Sequence, residues 1–186
     1  MQFEKAIHKI DSAVPKETCS FIIEYINKVC KTKAKLLVGN KNIEIKSQRD
    51  VYDYGLHPNN NDDKPYIKVI LDIMNKELIK YMNTFTYLQQ LKIQDINLLK
   101  YEVGNFYGEH IDAYHTVNRQ ISFIINLNNE YEGGSIDFFH PTERKPYKKI
   151  NFKTGDLILF PSNFMYPHRV NPITKGTRYS IVSWYG

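Results

Sequence analysis

Cysteine and long apolar runs are both scarce in this sequence of 186 residues. Cys19 and Cys30 are its only cysteines and form no Cys-x-x-Cys pair, which excludes zinc-finger and thioredoxin-type sites. They could form one disulfide, but we expect free thiols in a reducing compartment. The first residues, MQFEKAIHKID, contain no apolar core of signal-peptide length, and no run of about 18 apolar residues occurs. We therefore expect a cytoplasmic protein without a membrane span.

The net charge of +5 makes a nucleic-acid partner one alternative. However, the lysines are scattered, and the one basic cluster is ERKPYKKINFK, residues 143–153. We interpret this cluster as a solvated loop and strand edge. Neither a nucleic acid nor a membrane is the expected partner.

The length suits one domain, residues 1–186, and 42% hydrophobic with 24% charged residues is ordinary for a globular protein. Apolar residues at three- and four-residue spacing predict helices over about residues 15–32 and 65–84. Asp62 or Asp63, ahead of Pro65, is the predicted cap of the second helix. From about residue 92 to 186, short β-branched and aromatic runs alternate with turn residues. This pattern predicts a mainly β, α+β fold: an antiparallel sandwich or barrel with the helices on one side.

The stretch YGEHIDAYH, residues 107–115, contains four candidate metal ligands: Glu109, His110, Asp112 and His115. On an extended strand His110 and Asp112 share a face, Glu109 points away, and His115 falls in the turn that follows. His168 is the candidate third ligand, because it follows a predicted buried strand and turn. Two histidines and one carboxylate can form a facial triad that holds Fe(II) and leaves positions open. Zinc could use the same three ligands.

Arg178 begins the strand-like run RYSIVSWYG, ten residues after His168. Its neighbours on the same strand face are Ser180, Val182 and Trp184. A lone cation on such a face is costly to bury unless it meets an anion, and a guanidinium binds a carboxylate in a bidentate fashion. The anion could be a protein carboxylate. Beside an Fe(II) triad, the distal carboxylate of 2-oxoglutarate is the better candidate.

These residues together form a recognisable motif. The pattern Tyr101-x-x-Gly104-x-x-Tyr107-x-x-His110-x-Asp112, followed by His168, Arg178 and Trp184, resembles the Fe(II)/2-oxoglutarate-dependent oxygenases. Within them it looks most like the prolyl 4-hydroxylase branch, over roughly residues 95–186. The resemblance implies a double-stranded β-helix, or jelly-roll, core with N-terminal support helices on one side.

The resemblance also implies roles for individual residues. His110, Asp112 and His168 match the iron ligands. Arg178 and Tyr101 match residues that contact the cosubstrate, and Asn126 and Ser180 are further candidates for such contacts. Those matching substrate contacts are Tyr107, Trp184 and Arg119. Asn126 stands where the hypoxia-factor prolyl hydroxylases have a tyrosine, and its amide could still donate a hydrogen bond, with Ser180 as a compensating group.

The implied reaction is hydroxylation of an unactivated carbon, with a peptidyl proline as the favoured substrate. Fe(II), 2-oxoglutarate and O₂ are the expected cofactors and cosubstrates, succinate and CO₂ the co-products, and ascorbate a candidate reductant. The expected apolar lining is Ile124, Ile136, Val170 and Val182, and we expect specificity to lie in residues 43–63 and in the loop after Asp112.

Three alternatives remain from the sequence. One is a hydroxylase of a free amino acid or another small molecule. A second is a nucleic-acid dealkylase of the same superfamily, which is disfavoured because Trp184 occupies the position of that branch's second arginine. The third is a non-enzymatic, cupin-like barrel that binds a metal or ligand.

Overall fold

The computed structural model describes residues 3–38, 41–88, 91–113 and 117–186. It contains a short 3-10 helix, Phe3–Ala6, and two α-helices, α1 at Lys16–Val29 and α2 at Lys64–Thr84. Both α-helices were predicted, α1 with an end three residues too late. Within the described residues, neither combines the length and the apolar composition that crossing a bilayer requires.

The rest of the fold is built from antiparallel strands. In chain order they are β1 (His8–Ile10), β2 (Thr32–Lys33), β3 (Leu36–Val38), β4 (Lys41–Ile43), β5 (Arg49–Asp50), β6 (Tyr52–Gly55), β7 (Ile93–Tyr101), β8 (Phe106–His110), β9 (Ile121–Asn126), β10 (Tyr131–Gly133), β11 (Ile136–Phe139), β12 (Pro146–Ile150), β13 (Leu157–Pro161), β14 (His168–Val170), β15 (Ile173–Gly176) and β16 (Arg178–Tyr185).

Two large sheets organise these strands. Within the described residues, one sheet has the order β1-β13-β9-β16-β7-β6-β2 and the other the order β12-β11-β14-β8-β5. One hydrophobic core joins α1 and α2 to the first sheet, and a second core joins residues of both sheets. The fold is therefore a two-sheet jelly roll with helices packed against one sheet, as the sequence predicted.

Strand β9 shows why this sequence makes a sandwich. Ile121, Phe123 and Ile125 belong to the core beneath the helices, whereas Ile124 belongs to the core between the sheets. Successive side chains of a strand point to opposite faces, so a wholly buried strand can serve two cores. Ser122 and Asn126 share the face of Ile124 and are buried between the sheets.

The N-terminal part of the chain contributes strands that the sequence did not reveal. β1 pairs with β13, β6 with β7, and β5 with β8, so residues before 92 extend both sheets. These strands span two to four residues, too few to show a recognisable alternation. Their conformation is stabilised by pairing with partners far along the chain.

Asp63 has a different role from the predicted one. It occupies the N-cap position of α2, but its side chain makes no capping hydrogen bond. Instead the buried carboxylate accepts hydrogen bonds from the Tyr25 hydroxyl at 2.5 Å, the Tyr54 hydroxyl at 3.3 Å and the His57 backbone N–H at 2.8 Å. It therefore joins α1, β6 and the loop before α2.

Asp63→Asn should destabilise the fold by about 2 kcal/mol, because an amide offers one acceptor oxygen where the carboxylate serves several buried donors. The measurement is urea-induced unfolding. Asp62→Asn, at the exposed neighbouring position, is the matched control and should leave the unfolding midpoint unchanged. Equal midpoints for the two variants would show that the network adds no stability.

Cys19 and Cys30 are free and buried. Burial raises the pKa of the Cys19 thiol to about 11 and that of Cys30 to about 12. Because the thiolate is the reactive form, the folded protein should not react with Ellman's reagent at about pH 8. Both thiols should react after denaturation without reductant. No reaction in the denatured protein would mean a disulfide.

Candidate metal centre

The three predicted metal ligands come together at the open end of β8 and β14. His110 ends β8 and lies opposite His168, the first residue of β14. Asp112 lies two residues beyond the end of β8, so the predicted continuous strand through residue 112 is wrong. The backbone N–H groups of Asp112 and Ala113 donate instead to the Ser162 carbonyl, at 3.2 and 3.0 Å. This turn, rather than a shared strand face, brings the carboxylate beside His110.

Glu109 is exposed, as predicted, and His115 lies outside the described residues.

The donor atoms of His110, Asp112 and His168 lie within 4.8 Å of one another. The Asp112 carboxylate oxygens are 3.6 Å from His110 Nε2 and 3.7 Å from His168 Nε2. Each histidine places Nδ1 near a backbone carbonyl: Gly108 O at 2.8 Å for His110 and Tyr166 O at 3.1 Å for His168. Donation from Nδ1–H leaves the Nε2 lone pair directed toward the carboxylate, the tautomer that a metal requires.

The charge states also suit metal binding. Burial alone would raise the pKa of Asp112, but the imidazoles of His168 and His110 and the Ser122 hydroxyl hold that pKa below its usual value. Burial and the nearby His110 lower the pKa of His168 to about 4, although Asp112 opposes that shift. At neutral pH the centre therefore offers a carboxylate and a neutral His168 imidazole, both in the forms that ligate metals. The donor set fits Fe(II).

Ser122 orients the carboxylate ligand, a role that the sequence did not reveal. Its hydroxyl donates to Asp112 Oδ2 at 2.6 Å and lies 2.7 Å from the Ser162 hydroxyl. The available signal was a serine on the inward face of the otherwise apolar run ISFII.

A cavity of about 270 Å³ opens onto the three ligands. Ile124, Val170 and Val182 line it, as predicted. Ile136 does not, because it is fully buried in the core between the sheets. The part of the chain before β7 supplies part of the wall through Leu36 and the charged side chains of Lys35, Arg49 and Asp53.

The residues predicted to contact substrate all line the cavity, and each also contacts its surroundings closely. The Tyr107 ring stacks on the His110 ring, with centroids 3.6 Å apart. The Arg119 guanidinium lies 3.6 Å from the Trp184 ring centroid and contacts the Asp112 carbonyl at 3.5 Å. Tyr107 and Arg119 therefore directly contact His110 and Asp112, two of the three candidate metal ligands.

Arg178 is buried with only 1% of its surface exposed. Its Nε donates to Asn126 Oδ1 at 3.0 Å, and its guanidinium lies between the rings of Tyr101 and Phe152, at 5.3 and 5.4 Å. Its Nη2 has no hydrogen-bond partner within the described residues, where no carboxylate pairs with this arginine either. A buried guanidinium without an anion is unfavourable, so the arrangement fits a carboxylate ligand that the protein itself does not supply. Arg178 does not line the cavity; Tyr101, its partner in the β7–β16 ladder, does.

Asn126 holds Arg178 rather than offering a donor to a cosubstrate. Its oxygen accepts from Arg178 and from the Tyr131 hydroxyl at 3.0 Å, and its amide nitrogen donates to the carbonyls of Asn128 and Lys153. The sequence left open whether Asn126 or Ser180 assists Arg178; Asn126 contacts Arg178 through its oxygen, and both of its amide hydrogens are engaged elsewhere. Ser180 Oγ is buried and without a partner in the described part of the chain, so it remains a candidate cosubstrate contact.

Comparison with known proteins agrees with this geometry. The family model described as the 2OG-Fe(II) oxygenase superfamily matches residues 96–186. A PKHD-type hydroxylase of Idiomarina loihiensis is 29% identical over 97 residues, covering 50% of this chain and 42% of that protein. One from Synechococcus sp. (strain JA-2-3B'a(2-13)) is 34% identical over 100 residues, with the same coverage of 50% and 42%. The match thus spans less than half the length of these two relatives.

Two solved structures share the fold. A Trichoplax adhaerens prolyl hydroxylase in complex with a hypoxia inducible factor peptide fragment has a TM-score of 0.80 and 19% identity, over 97% of this chain and 83% of that one. A viral collagen prolyl hydroxylase from Paramecium Bursaria Chlorella virus-1, in its 2OG complex, has a TM-score of 0.70 and 19% identity, over 100% and 98% of the two chains.

The fold and the ligand cluster define a jelly-roll protein with a His-Asp-His metal centre. Residues 96–186 are similar to the 2OG-Fe(II) oxygenase superfamily, and the whole fold resembles that of solved prolyl hydroxylases.

Ser122→Ala should weaken metal binding about 10- to 100-fold, because removing an outer partner leaves the carboxylate ligand poorly oriented. The measurement is calorimetric titration of the metal-free protein with Mn(II). Ser183→Ala is the matched control, since Ser183 is equally buried but donates to the Asp95 carbonyl. Unchanged Mn(II) affinity in Ser122→Ala would show that Ser122 does not position Asp112.

Proposed function

We propose that this chain is an Fe(II)- and 2-oxoglutarate-dependent dioxygenase that hydroxylates an unactivated carbon, with a peptidyl proline as the favoured substrate. One observation carries the proposal: Tyr101, which lines the cavity over the His-Asp-His cluster, contacts a buried arginine, Arg178, whose Nη2 lacks a partner among the described residues. A metal triad alone would suit many reactions. The buried arginine adds a site for one end of a dicarboxylate whose other end reaches the metal.

The metal would be held by His110, Asp112 and His168, all three of which line the cavity. When bound, Fe(II) together with 2-oxoglutarate supplies the activation of O₂ and the hydroxylation of a C–H bond, with succinate and CO₂ as co-products. Ser122 keeps Asp112 oriented, and the backbone carbonyls of Gly108 and Tyr166 keep both imidazoles in one tautomer.

The cosubstrate would be oriented by Arg178, whose Nη2 binds the distal carboxylate while Asn126 fixes the Nε edge. Burial raises the pKa of Tyr101, although the Arg178 charge opposes this, so its hydroxyl stays protonated and can donate. Ser180 offers a second hydroxyl, on the face of β16 that also carries Arg178. Ile124, Val170 and Val182 exclude water from the reacting carbon.

A proline substrate is supported by the cavity and by the structural neighbours. Tyr107 and Trp184 offer aromatic surface suited to an apolar pyrrolidine ring. Both solved structures cited above are prolyl hydroxylases, one of them with a peptide. A free amino acid or another small molecule is the second candidate. It is favoured by the volume of about 270 Å³, which lies just below the usual range for ligand pockets.

Arg178→Ala should weaken 2-oxoglutarate binding about 10- to 100-fold, because the distal carboxylate loses its charged partner. Calorimetry of the Mn(II)-loaded protein measures this affinity directly. Arg144→Ala, at an exposed loop position, is the control. Metal-dependent 2-oxoglutarate binding that is absent, or that is unchanged in Arg178→Ala, would refute the assignment.

The substrate class is tested separately. The protein with Fe(II), ascorbate and 2-oxoglutarate is incubated with a peptide digest and with free amino acids, and mass spectrometry locates any added oxygen. Oxygen on prolyl residues of peptides supports the favoured substrate. Oxygen on a free amino acid alone supports the second candidate.

A further inference from the structure

Arg49 is an arginine of the cavity wall and lies within residues 43–63, where the sequence predicts specificity. It lies in β5, directly opposite Tyr107 of β8. Its guanidinium carbon is 4.8 Å from the Tyr107 ring centroid, and the Tyr107 ring stacks on the metal ligand His110. The Tyr107 ring therefore contacts both Arg49 and His110.

The position of Arg49 is fixed by the backbone of the segment before it. Gly108 N–H donates to the Gln48 carbonyl at 2.7 Å, and the Gln48 amide donates to the Glu109 carbonyl at 3.0 Å. A Cβ atom at Gly108 would lie 2.9 Å from the Gln48 side chain and 3.1 Å from its carbonyl oxygen, so glycine permits this close approach. Arg49 is thus carried on the same rigid layer as His110.

The hydrogen-bonding capacity of Arg49 is largely unused. Its side chain is 11% exposed, and its only ion pair within the described residues joins Nη2 to Asp53 Oδ2 at 3.7 Å, longer than a hydrogen bond. Its Nε is buried and has no partner within the same residues. The Tyr107 contact occupies the face of the guanidinium, so its Nε–H, which has no partner within the described residues, can donate to a ligand.

The charges around the cavity point the same way. Its wall carries the cations Lys35, Arg49 and Arg119 and the carboxylates Asp53 and Asp112. Asp112 is committed to the metal, and Arg119 has a partner in Asp95 at 3.2 Å. Arg49 and Lys35 are then opposed in the wall only by Asp53. A cavity with such an excess of positive charge favours an anionic ligand.

We propose that Arg49 is a specificity-determining residue that binds a carboxylate of the substrate, so that the preferred substrate is acidic near the carbon that is hydroxylated. This inference rests on the proposed function for its reaction but not for its binding step. The carboxylate could belong to an acidic residue of a peptide or to a free amino acid; the chemistry at Arg49 is the same in both cases.

The test compares each acid with its uncharged amide. The peptide probes are acetyl-Ala-Asp-Pro-Ala-amide and acetyl-Ala-Asn-Pro-Ala-amide, and the small-molecule probes are L-proline and L-prolinamide. Binding to the Mn(II)- and 2-oxoglutarate-treated protein is measured by calorimetry, and succinate release is measured with Fe(II). We expect at least one acid to bind about tenfold or more tighter than its amide, because a hydrogen bond between charged groups adds about that much affinity. The pair that shows the preference identifies the source of the carboxylate.

The variants isolate Arg49 from the rest of the site. Arg49→Gln should abolish the acid preference through KM, with 2-oxoglutarate affinity unchanged, and Arg49→Lys should retain part of the preference. Arg144→Gln, in an exposed loop, should behave as the wild type.

Absence of any acid preference in the wild type, or the same preference in Arg49→Gln, would overturn the proposal. Weaker 2-oxoglutarate binding in Arg49→Gln without loss of the acid preference would overturn it too, since Arg49 would then serve the cosubstrate. An acid preference in binding without succinate release would uphold Arg49 and remove the proposed reaction.

Discussion

The antiparallel pairing of β8 with β14 sets His110 opposite His168, and the rest of the site depends on that register. A strand that slipped by one residue would turn its histidine to the other face of the sheet. The register is maintained on both sides, because β14 also pairs with β11 and β8 also pairs with β5. The pairing of two strands thus brings together two imidazoles that are far apart in the sequence.

The opposite sheet supplies the groups that hold Asp112 and Arg178, the two ends of the proposed dicarboxylate site. Along β9, Ser122 holds the carboxylate ligand and Asn126 holds the arginine, with Ile124 between them in the cavity wall. The period of two along a strand places all three on one face. Strand β9 therefore contacts both Asp112 and Arg178, and so sets the distance between these two residues.

The sequence predicted what depends on residue type and regular spacing. The helices follow from their apolar period, and the triad and Arg178 follow from chemistry that few other residue types can provide. The contribution of Ser122 was not predictable, because it acts through Asp112, which only folding brings near it. The sequence predicted specificity in residues 43–63 but did not single out Arg49, because the partner of Arg49 in β8 is known only from the fold. The predicted capping role of the Asp63 side chain was wrong for a similar reason. Asp63 has the sequence position of a helix cap, but its partners Tyr25 and Tyr54 come from other elements. The N-terminal strands were too short to show an alternation.

The close packing of β5 on β8 at Gly108 brings the N-terminal part of the chain against the strand that ends at His110. The segment that the family model recognises, residues 96–186, carries the metal ligands and the buried arginine. The part of the wall formed by Lys35, Leu36, Arg49 and Asp53 lies outside that segment. Changes at Lys35, Arg49 or Asp53 can therefore alter what the cavity binds without replacing any residue of the His-Asp-His cluster. Residues of the N-terminal part of the chain are therefore the positions to substitute in order to change which ligands the cavity binds.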